Sequence, residues 1–394
     1  MFIMGNALLQ EARALLPWLQ EVFFELHKNP EIGGKEYKTQ ALVLNELKKM
    51  GVEAEPIAET GVLGIIRGGK PGKTVAFRAD MDALPLQEET NLPYKSQVPG
   101  MMHACGHDSH TSILLGAAKL FNDHKDELCG NVKLFFQPNE EGDGGAERMI
   151  AAGCMENPKV DAVFFGHTGI LPVGTVSVRP GPTSAASNPF TVTFRGKGTH
   201  GANPSGGTDA IVAASQAVVA LQTISSRRTH PTDSIVISVG AFHAGTVGNI
   251  IPEIAEIKGI MRTLNPQTRA RAKEDFKQVI SGIAAAMNVE VDIDMRDGYA
   301  ASINDEAMTE LMRGAAAKVL GSENVRTTPA PSLGTEDIGY FLEKAPGCYY
   351  SIGARTPDAE PWPLHNPRYV VDLDTLAYGA ALYFQIAQDF LSDK

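Results

Sequence analysis

The sequence predicts an α/β protein in which a large α/β domain with a mixed sheet is interrupted by a smaller, ferredoxin-like βαββαβ domain. Three observations carry this expectation. Near-continuous apolar runs at 62–66, 74–78, 132–136 and 162–165 alternate with helical stretches such as 111–121, the pattern of strands covered on both faces. Between about 188 and 296 the runs give way to strict apolar/polar alternation, as in Phe190-Thr-Val192-Thr-Phe194. The 394 residues also exceed what one hydrophobic core usually supports. The expected division is 1–187 with 297–394 for the larger domain and 188–296 for the smaller.

Taken in order, residues 6–28 read as a helix interrupted or bent near Pro17, and 35–50 as a second helix ending before Gly51. The helix from Thr111 follows a Cys-x-His pair, with Asp108 or Ser109 expected as its N-cap. In the smaller domain a strand at 190–194 is followed by a helix over 209–225 and strands near 234–240 and 253–263. Phe276, Val279, Ile280, Ile283 and Met287 then fall at helical spacing, and Val289, Val291, Ile293 and Met295 alternate with acids as a last strand. The order βαββαβ is that of the split-βαβ unit.

Composition narrows the function. With 43% hydrophobic and 21% charged residues the chain is an ordinary globular protein. A net charge of −11 argues against nucleic acid or an anionic membrane as partner, since nothing would neutralise phosphates. The start, Met1-Phe-Ile-Met-Gly-Asn, lacks a basic n-region and a long apolar core, and the run 211–224 is too short and polar to span a bilayer. Four scattered cysteines form no disulfide framework, so a cytoplasmic, reduced protein is expected.

The chemistry is concentrated at strand ends. Cys105 and His107 offer a thiolate and an imidazole two residues apart, and a helix N-terminus favours the thiolate. Alone, that pair would as readily be a buried cysteine beside a structural histidine. Its company changes the reading. The strand at 132–136 runs into Glu140-Glu141, that at 162–165 into Gly166-His167, and that at 74–78 into Asp80-Met-Asp82. Open α/β sheets place their sites at such C-terminal strand ends. Adjacent carboxylates supply one further ligand and one free base. His103 and His110 are read as outer neighbours of these groups, and His27, His124 and His230 as solvated. Gly196-Lys-Gly198-Thr-His-Gly201 matches a dinucleotide fingerprint, but Pro204 and Gly206-Gly207 delay the helix it needs and no acid follows for a ribose. Gly68 to Thr74 lacks the first glycine of a P-loop.

As a set, Arg78-Ala-Asp80-Met-Asp82, His103-Ala-Cys105-Gly-His107-Asp108, Gln137-Pro-Asn-Glu140-Glu141, Gly196-Lys-Gly-Thr-His200-Gly, Asn249-Ile-Ile-Pro252 and Leu364-His365 resemble the dinuclear-metal amidohydrolase and peptidase family. The branch resembled is that of hippurate hydrolase, N-acyl-amino-acid amidohydrolase and the plant auxin-conjugate hydrolases. The resemblance runs from about residue 20 to 385. It implies two divalent metal ions per subunit, zinc or manganese first, with cobalt or nickel compatible. The implied ligands are Cys105, His107, Glu141, His167 and His365, with Glu140 as general base and Asp80 orienting a ligand. The inserted domain resembles the family's lid and dimerisation domain, which implies a homodimer or higher homo-oligomer through that domain. His200, Asn249 and Arg262 match substrate-contacting positions, His200 as the group facing the oxyanion, and Gly334-Thr335-Glu336-Asp337 match a loop lining the pocket. Two departures stand out: Gly166-His167-Thr168 is tighter than the family's Gly-Leu-His, and Asn203 to Thr208 lacks a histidine and an Asp-Pro found in relatives.

The implied activity is hydrolysis of the amide bond of small N-acyl amino acids. Three rivals remain open on the sequence: a thiol hydrolase with Cys105 as nucleophile, a metallo-exopeptidase acting on dipeptides, and a silent binding protein on the same fold. The intact Glu140 and ligand set weigh against the last.

Overall fold

The computed structural model describes residues 5–357 and 360–392. The helices are α1 (Gly5–Ala14), α2 (Leu16–Lys28), α3 (Tyr37–Met50), α4 (His107–Asp123), α5 (Ala146–Ala151), α6 (Ala210–Thr223), α7 (Pro266–Ala286), α8 (Glu306–Leu320), α9 (Gly339–Leu342) and α10 (Asp374–Ser392). The first strands are β1 (Glu53–Ile57), β2 (Gly61–Arg67), β3 (Lys70–Asp80), β4 (Cys129–Gln137), β5 (Ala162–Pro172), β6 (Val176–Val178), β7 (Gly181–Ser184) and β8 (Ala186–Arg195). There follow β9 (Thr199–His200), β10 (Ile235–Ala244), β11 (Ile250–Ile251), β12 (Ile254–Thr263), β13 (Glu290–Met295), β14 (Ser302–Asn304), β15 (Val325–Thr327) and β16 (Gly347–Arg355).

The chain divides into two units. The larger comprises Met1–Gly181, Ile303–Ala330 and Asp337–Lys394, the smaller Pro182–Ser302 with Pro331–Glu336. The smaller unit is thus wider than residues 188–296. Its flanks are tied in by backbone bonds from Ser187 N to Tyr299 O (3.0 Å) and from Ala185 N to Gly334 O (2.9 Å), which join residues with no shared sequence pattern.

The larger unit is built on one mixed sheet in the order β1-β2-β4-β3-β5-β16-β6-β15. β4, β3, β5 and β16 run parallel to one another, as β6 does to β15, while β1–β2, β2–β4 and β16–β6 are antiparallel pairs. The central strands are apolar on both faces because both are covered. Val75, Phe77, Ala79, Leu134 and Phe164 face a core with α4 and α10, and Ala76, Phe135, Val163 and Phe165 face one with α5 and α9. Phe77 stacks on Phe121 of α4 (5.5 Å) and packs on Tyr383 of α10 (4.8 Å). Each such buried ring contributes about 1.5–3 kcal/mol of transfer free energy.

Strand ends differ from the apolar runs that announced them. β5 continues to Pro172, so His167 lies within the strand, because parallel pairing with β16 extends past it (Ser351 opposite His167). The N-terminal helix, by contrast, is interrupted where expected: α1 and α2 are separate, with Pro17 in the first turn of α2, where its missing N–H costs nothing. α4 starts at His107 instead of Thr111, and its N-cap is Gly106 (φ 84°) instead of Asp108 or Ser109. The glycine is needed there. A left-handed residue is required, and a Cβ would fall 2.4 Å from Thr168 Oγ1.

The smaller unit carries a four-stranded antiparallel sheet in the order β10-β12-β8-β13, the ferredoxin-like arrangement. Phe190, Val192 and Phe194 of β8 turn into one core with Ala213, Ala217 and Leu221 of α6 and Phe276 and Ile280 of α7. Asp209 caps α6 by accepting from Ile211 N (2.9 Å) and Val212 N (3.1 Å), and Asn265 caps α7.

Candidate metal centre

The period-2 geometry of β3 starts the site. Arg78 and Asp80 emerge on the same face, both fully buried, and Arg78 Nη1 donates to Asp80 Oδ2 at 2.7 Å. Arg78 is held further by Asp337 Oδ1 (2.7 Å), by Gln137 Oε1 (3.0 Å) and by the Phe165 ring beneath its guanidinium (4.2 Å). Burial alone would raise the Asp80 pKa. The charges of His107, Arg78 and His110 instead hold it well below the usual carboxylate range.

Asp80 faces the first turn of α4, where His107 and His110 stand one turn apart. His110 is fully committed. Its Nε2 accepts the Thr168 N–H (2.8 Å), which fixes the proton on Nδ1, and Nδ1 donates to Asp80 Oδ1 (2.5 Å). His107 is not. Neither of its ring nitrogens has a partner in hydrogen-bonding geometry, although Nδ1 lies 3.3 Å from Asp82 Oδ1 and Nε2 3.6 Å from Asp80 Oδ2.

The Glu pair is presented by a loop with its own fixings. Asn139 adopts φ 60°, and its N–H donates to Glu36 Oε1 (2.8 Å). The two oxygens of Asp82 then accept the backbone N–H groups of Glu140 (3.0 Å) and Glu141 (2.9 Å). Leu84 and Met102 exchange backbone hydrogen bonds, fixing the segment after Asp82 against that before Cys105. His365 arrives from a distant loop, anchored by its N–H to Ala104 O (2.8 Å).

These elements bring the expected residues together. Donor atoms of Cys105, His107 and His167 lie within 4.8 Å of one another, as do those of Cys105, Glu141 and His365, and those of His107, Glu140 and Glu141. Cys105 Sγ is 3.5 Å from His167 Nε2, and His365 Nε2 is 3.0 Å from Glu141 Oε1. His167 Nδ1 donates to Thr168 O (2.6 Å), so its Nε2 presents a lone pair. Burial keeps that ring neutral, with its pKa lowered to about 3. Burial also raises the Cys105 thiol well above its ordinary value, with the Glu141 and Glu140 charges adding to the effect against His107. Glu141 is held below its usual value despite burial, chiefly by His365, which is raised in turn.

The donor set fits a pair of divalent cations. Three imidazoles, a thiol and carboxylates converge, and both ring nitrogens of His107 are buried without a hydrogen bond of good geometry. The burial that raises the Cys105 thiol disfavours a free thiolate nucleophile, which weighs against the thiol-hydrolase alternative.

The other residues singled out by sequence belong to the smaller unit. His200 on β9 pairs with Ile250 on β11, and its Nδ1 accepts the Ala202 N–H (3.0 Å). Asn249 is next to it, its carbonyl accepting the Gly201 N–H (2.8 Å). Arg262, on β12 opposite Ser187, keeps Nη1 buried without a hydrogen-bond partner among the described residues. Gly334 O accepts the Ala185 N–H, and Thr335 follows half-buried.

Several residues that build the site were missed. Asp82, Glu36, Thr168 and Asp337 act through hydrogen bonds to partners 24 to 259 positions away, for which no local pattern exists. Asp82 carried a signal as the second acid at the end of β3, and Asp337 stood in the pocket-loop motif, which gave no hint of its bonds to Arg78 and Gln137. His27 corrects the reading of it as solvated: it is buried, with Nδ1 2.6 Å from Asp108 Oδ2 and Nε2 3.4 Å from Glu88 Oε2.

Among known proteins, residues 76–389 match the description of peptidase family M20/M25/M40. Thermostable carboxypeptidase 1 of Saccharolobus solfataricus is 39% identical over 387 residues, spanning 96% of this chain and 97% of its own. Hippurate hydrolase of Campylobacter jejuni is 39% identical over 376 residues, spanning 94% and 96%. The crystal structure of Bacillus subtilis YXEP, described as a dinuclear metal-binding peptidase of the M20 family, aligns with a TM-score of 0.84 at 32% identity, covering 97% of this chain and 100% of that one.

Proposed function

Because the chain belongs to peptidase family M20/M25/M40 and is a hydrolase of amide bonds, we propose that it cleaves the amide of small N-acyl amino acids at the Cys105–His107–Glu141–His167–His365 centre. The observation that carries this reading is the set of overlapping donor groups with Glu140 beside them and the His107 nitrogens left over. When bound there, a pair of divalent cations supplies Lewis acidity, which polarises a carbonyl and brings the pKa of water towards neutrality. Zinc or manganese suits this mixed sulfur, nitrogen and oxygen set, and cobalt or nickel is compatible.

Glu140 is the general base. It takes a proton from the attacking water and returns it to the departing nitrogen. Glu141, whose oxygens would be occupied as ligands, does not share that task. Asp80, fixed by Arg78 and His110, orients the His107 ring. On the smaller unit His200 is assigned to the oxyanion, and Asn249, Arg262 and the Gly334–Thr335 segment to the substrate carboxylate. The buried, unpaired Nη1 of Arg262 supports that assignment on a chain of net charge −11. A second copy of the chain is the assigned partner: β10 is a ten-residue edge strand with exposed Phe242, and Val212 and Val219 of α6 are exposed. A second reading, exopeptidase action on dipeptides, is favoured by the likeness to thermostable carboxypeptidase 1.

Metal analysis coupled to a panel of N-acetyl, N-benzoyl and dipeptide substrates, with and without chelator, tests the proposal. Two cations per chain and chelator-sensitive turnover of N-acyl amino acids are expected. Turnover that survives chelation, or dipeptides as the sole substrates, would overturn it.

A further inference from the structure

Among the described residues the larger unit exposes four large apolar side chains, Tyr37, Ile170, Ile303 and Val370. Two of them, Ile170 and Val370, line a single cavity of about 660 Å³. Leaving such groups in water is unfavourable, and a cavity of this size, its walls divided between apolar and polar side chains, is a usual ligand site.

The cavity shares its walls with the segments that carry the metal ligands. Ile170 follows His167 by three residues on β5, and Trp362 and Arg368 stand three residues on either side of His365. Tyr369, also in the lining, brings its hydroxyl to 3.4 Å from the place a Cβ would take on Gly106, between Cys105 and His107. The lining is braced. Arg368 lies over the Trp362 ring (5.2 Å to the centroid) and its Nε donates to Glu89 (3.2 Å), while Arg355 Nε donates to Ile170 O (3.1 Å). Two arginines are matched by Glu89 and Glu360 in the same lining, so it carries no net charge to attract an anion. An immobilised indole beside aliphatic side chains is instead a platform for a flat, uncharged group.

We propose that this cavity receives the acyl group of the substrate, with Ile170 and Trp362 selecting an aromatic or similarly bulky apolar acyl group over acetyl. The proposal rests on the reading that the chain hydrolyses N-acyl amino acids, and it adds the half of the substrate that lies away from the amino acid.

Trp18 and Trp362 are the two tryptophans of the chain, so in a Trp18→Phe protein emission reports on the cavity alone. With Glu140→Gln added to prevent turnover, and with metal supplied, N-benzoylglycine should change that emission saturably and N-acetylglycine should not. No response to either, or the same response to both, would overturn the proposal whether or not the protein turns over. In the otherwise native enzyme, Ile170→Asp and Trp362→Ala should each lower the ratio of kcat/KM for N-benzoylglycine to that for N-acetylglycine by about tenfold or more. An unchanged ratio removes the cavity from acyl recognition while leaving amide hydrolysis intact. A native, metal-supplied enzyme that cleaves no N-acyl amino acid would instead remove the reading beneath it.

Discussion

Two buried clusters of histidine and carboxylate meet the first turn of α4, and they end differently. On one side His27 bridges Asp108 and Glu88, while Glu88 also accepts from Ser96 N (2.6 Å) and from Thr90. Opposite charges match, and the cluster closes on itself. On the other side the donor atoms of Cys105, His107, Glu140, Glu141, His167 and His365 fall into overlapping groups, the atoms of each within 4.8 Å of one another. Residue types barely distinguish the two. What distinguishes them is arrangement: one resolves into pairs of opposite charge, while the other gathers sulfur, nitrogen and oxygen donors around shared points.

That contrast can be broken in graded steps. Glu140→Gln should lower kcat by about 10²–10⁴-fold while metal content and fold persist, as turnover assays with elemental analysis would show. Near-native turnover would end the base assignment. His200→Ala mixed with Glu140→Gln should regain activity if His200 serves a neighbouring subunit, and mixed oligomers without recovery would count against that. Asp80→Ala should weaken metal binding about 10–100-fold, read by competition with a chelator, since it removes the group that orients His107.

The closed cluster should respond in stability alone. His27→Leu leaves Asp108 and Glu88 buried without their cation and should cost about 3–5 kcal/mol in denaturant unfolding, with metal stoichiometry unchanged. It also carries a pH signature. Burial opposes charge on His27, but Asp108 and Glu88 raise its pKa from 6.5 to about 9. The folded state therefore binds this proton more tightly than the unfolded one. Its stabilisation is complete below about pH 6.5 and is lost as pH climbs through about 9, a slope worth up to about 3 kcal/mol that the His27→Leu protein should lack. Asp209→Ala, in the smaller unit, is the mildest change: loss of the α6 cap should cost about 1 kcal/mol and leave metal binding unaltered.

Much of this molecule was legible before its structure. The ferredoxin-like unit declared itself because β8 and β13 are each wetted on one face, which writes period-2 alternation into the sequence. The convergence of Cys105, His107 and the Glu pair was legible because these residues stand in short local clusters at strand and helix ends. His27 was not, since its partner Asp108 is 81 residues away and its own helix shows only an ordinary polar residue near a C-terminus. Nor was the true end of β5, which is decided by β16, nearly two hundred residues on. Boundaries and pairings set by another segment leave no trace in the segment itself.

Asp82 has a consequence of a different kind. One rigid carboxylate accepts both the Glu140 and the Glu141 N–H groups, so the loop is referenced to a single point at its two functional positions. When that point drifts with thermal motion, Glu140 and Glu141 drift together, and the interval between them is preserved. The error is common to both and cancels where the reaction is sensitive to it. Each loop need not be still, provided that the two residues keep step.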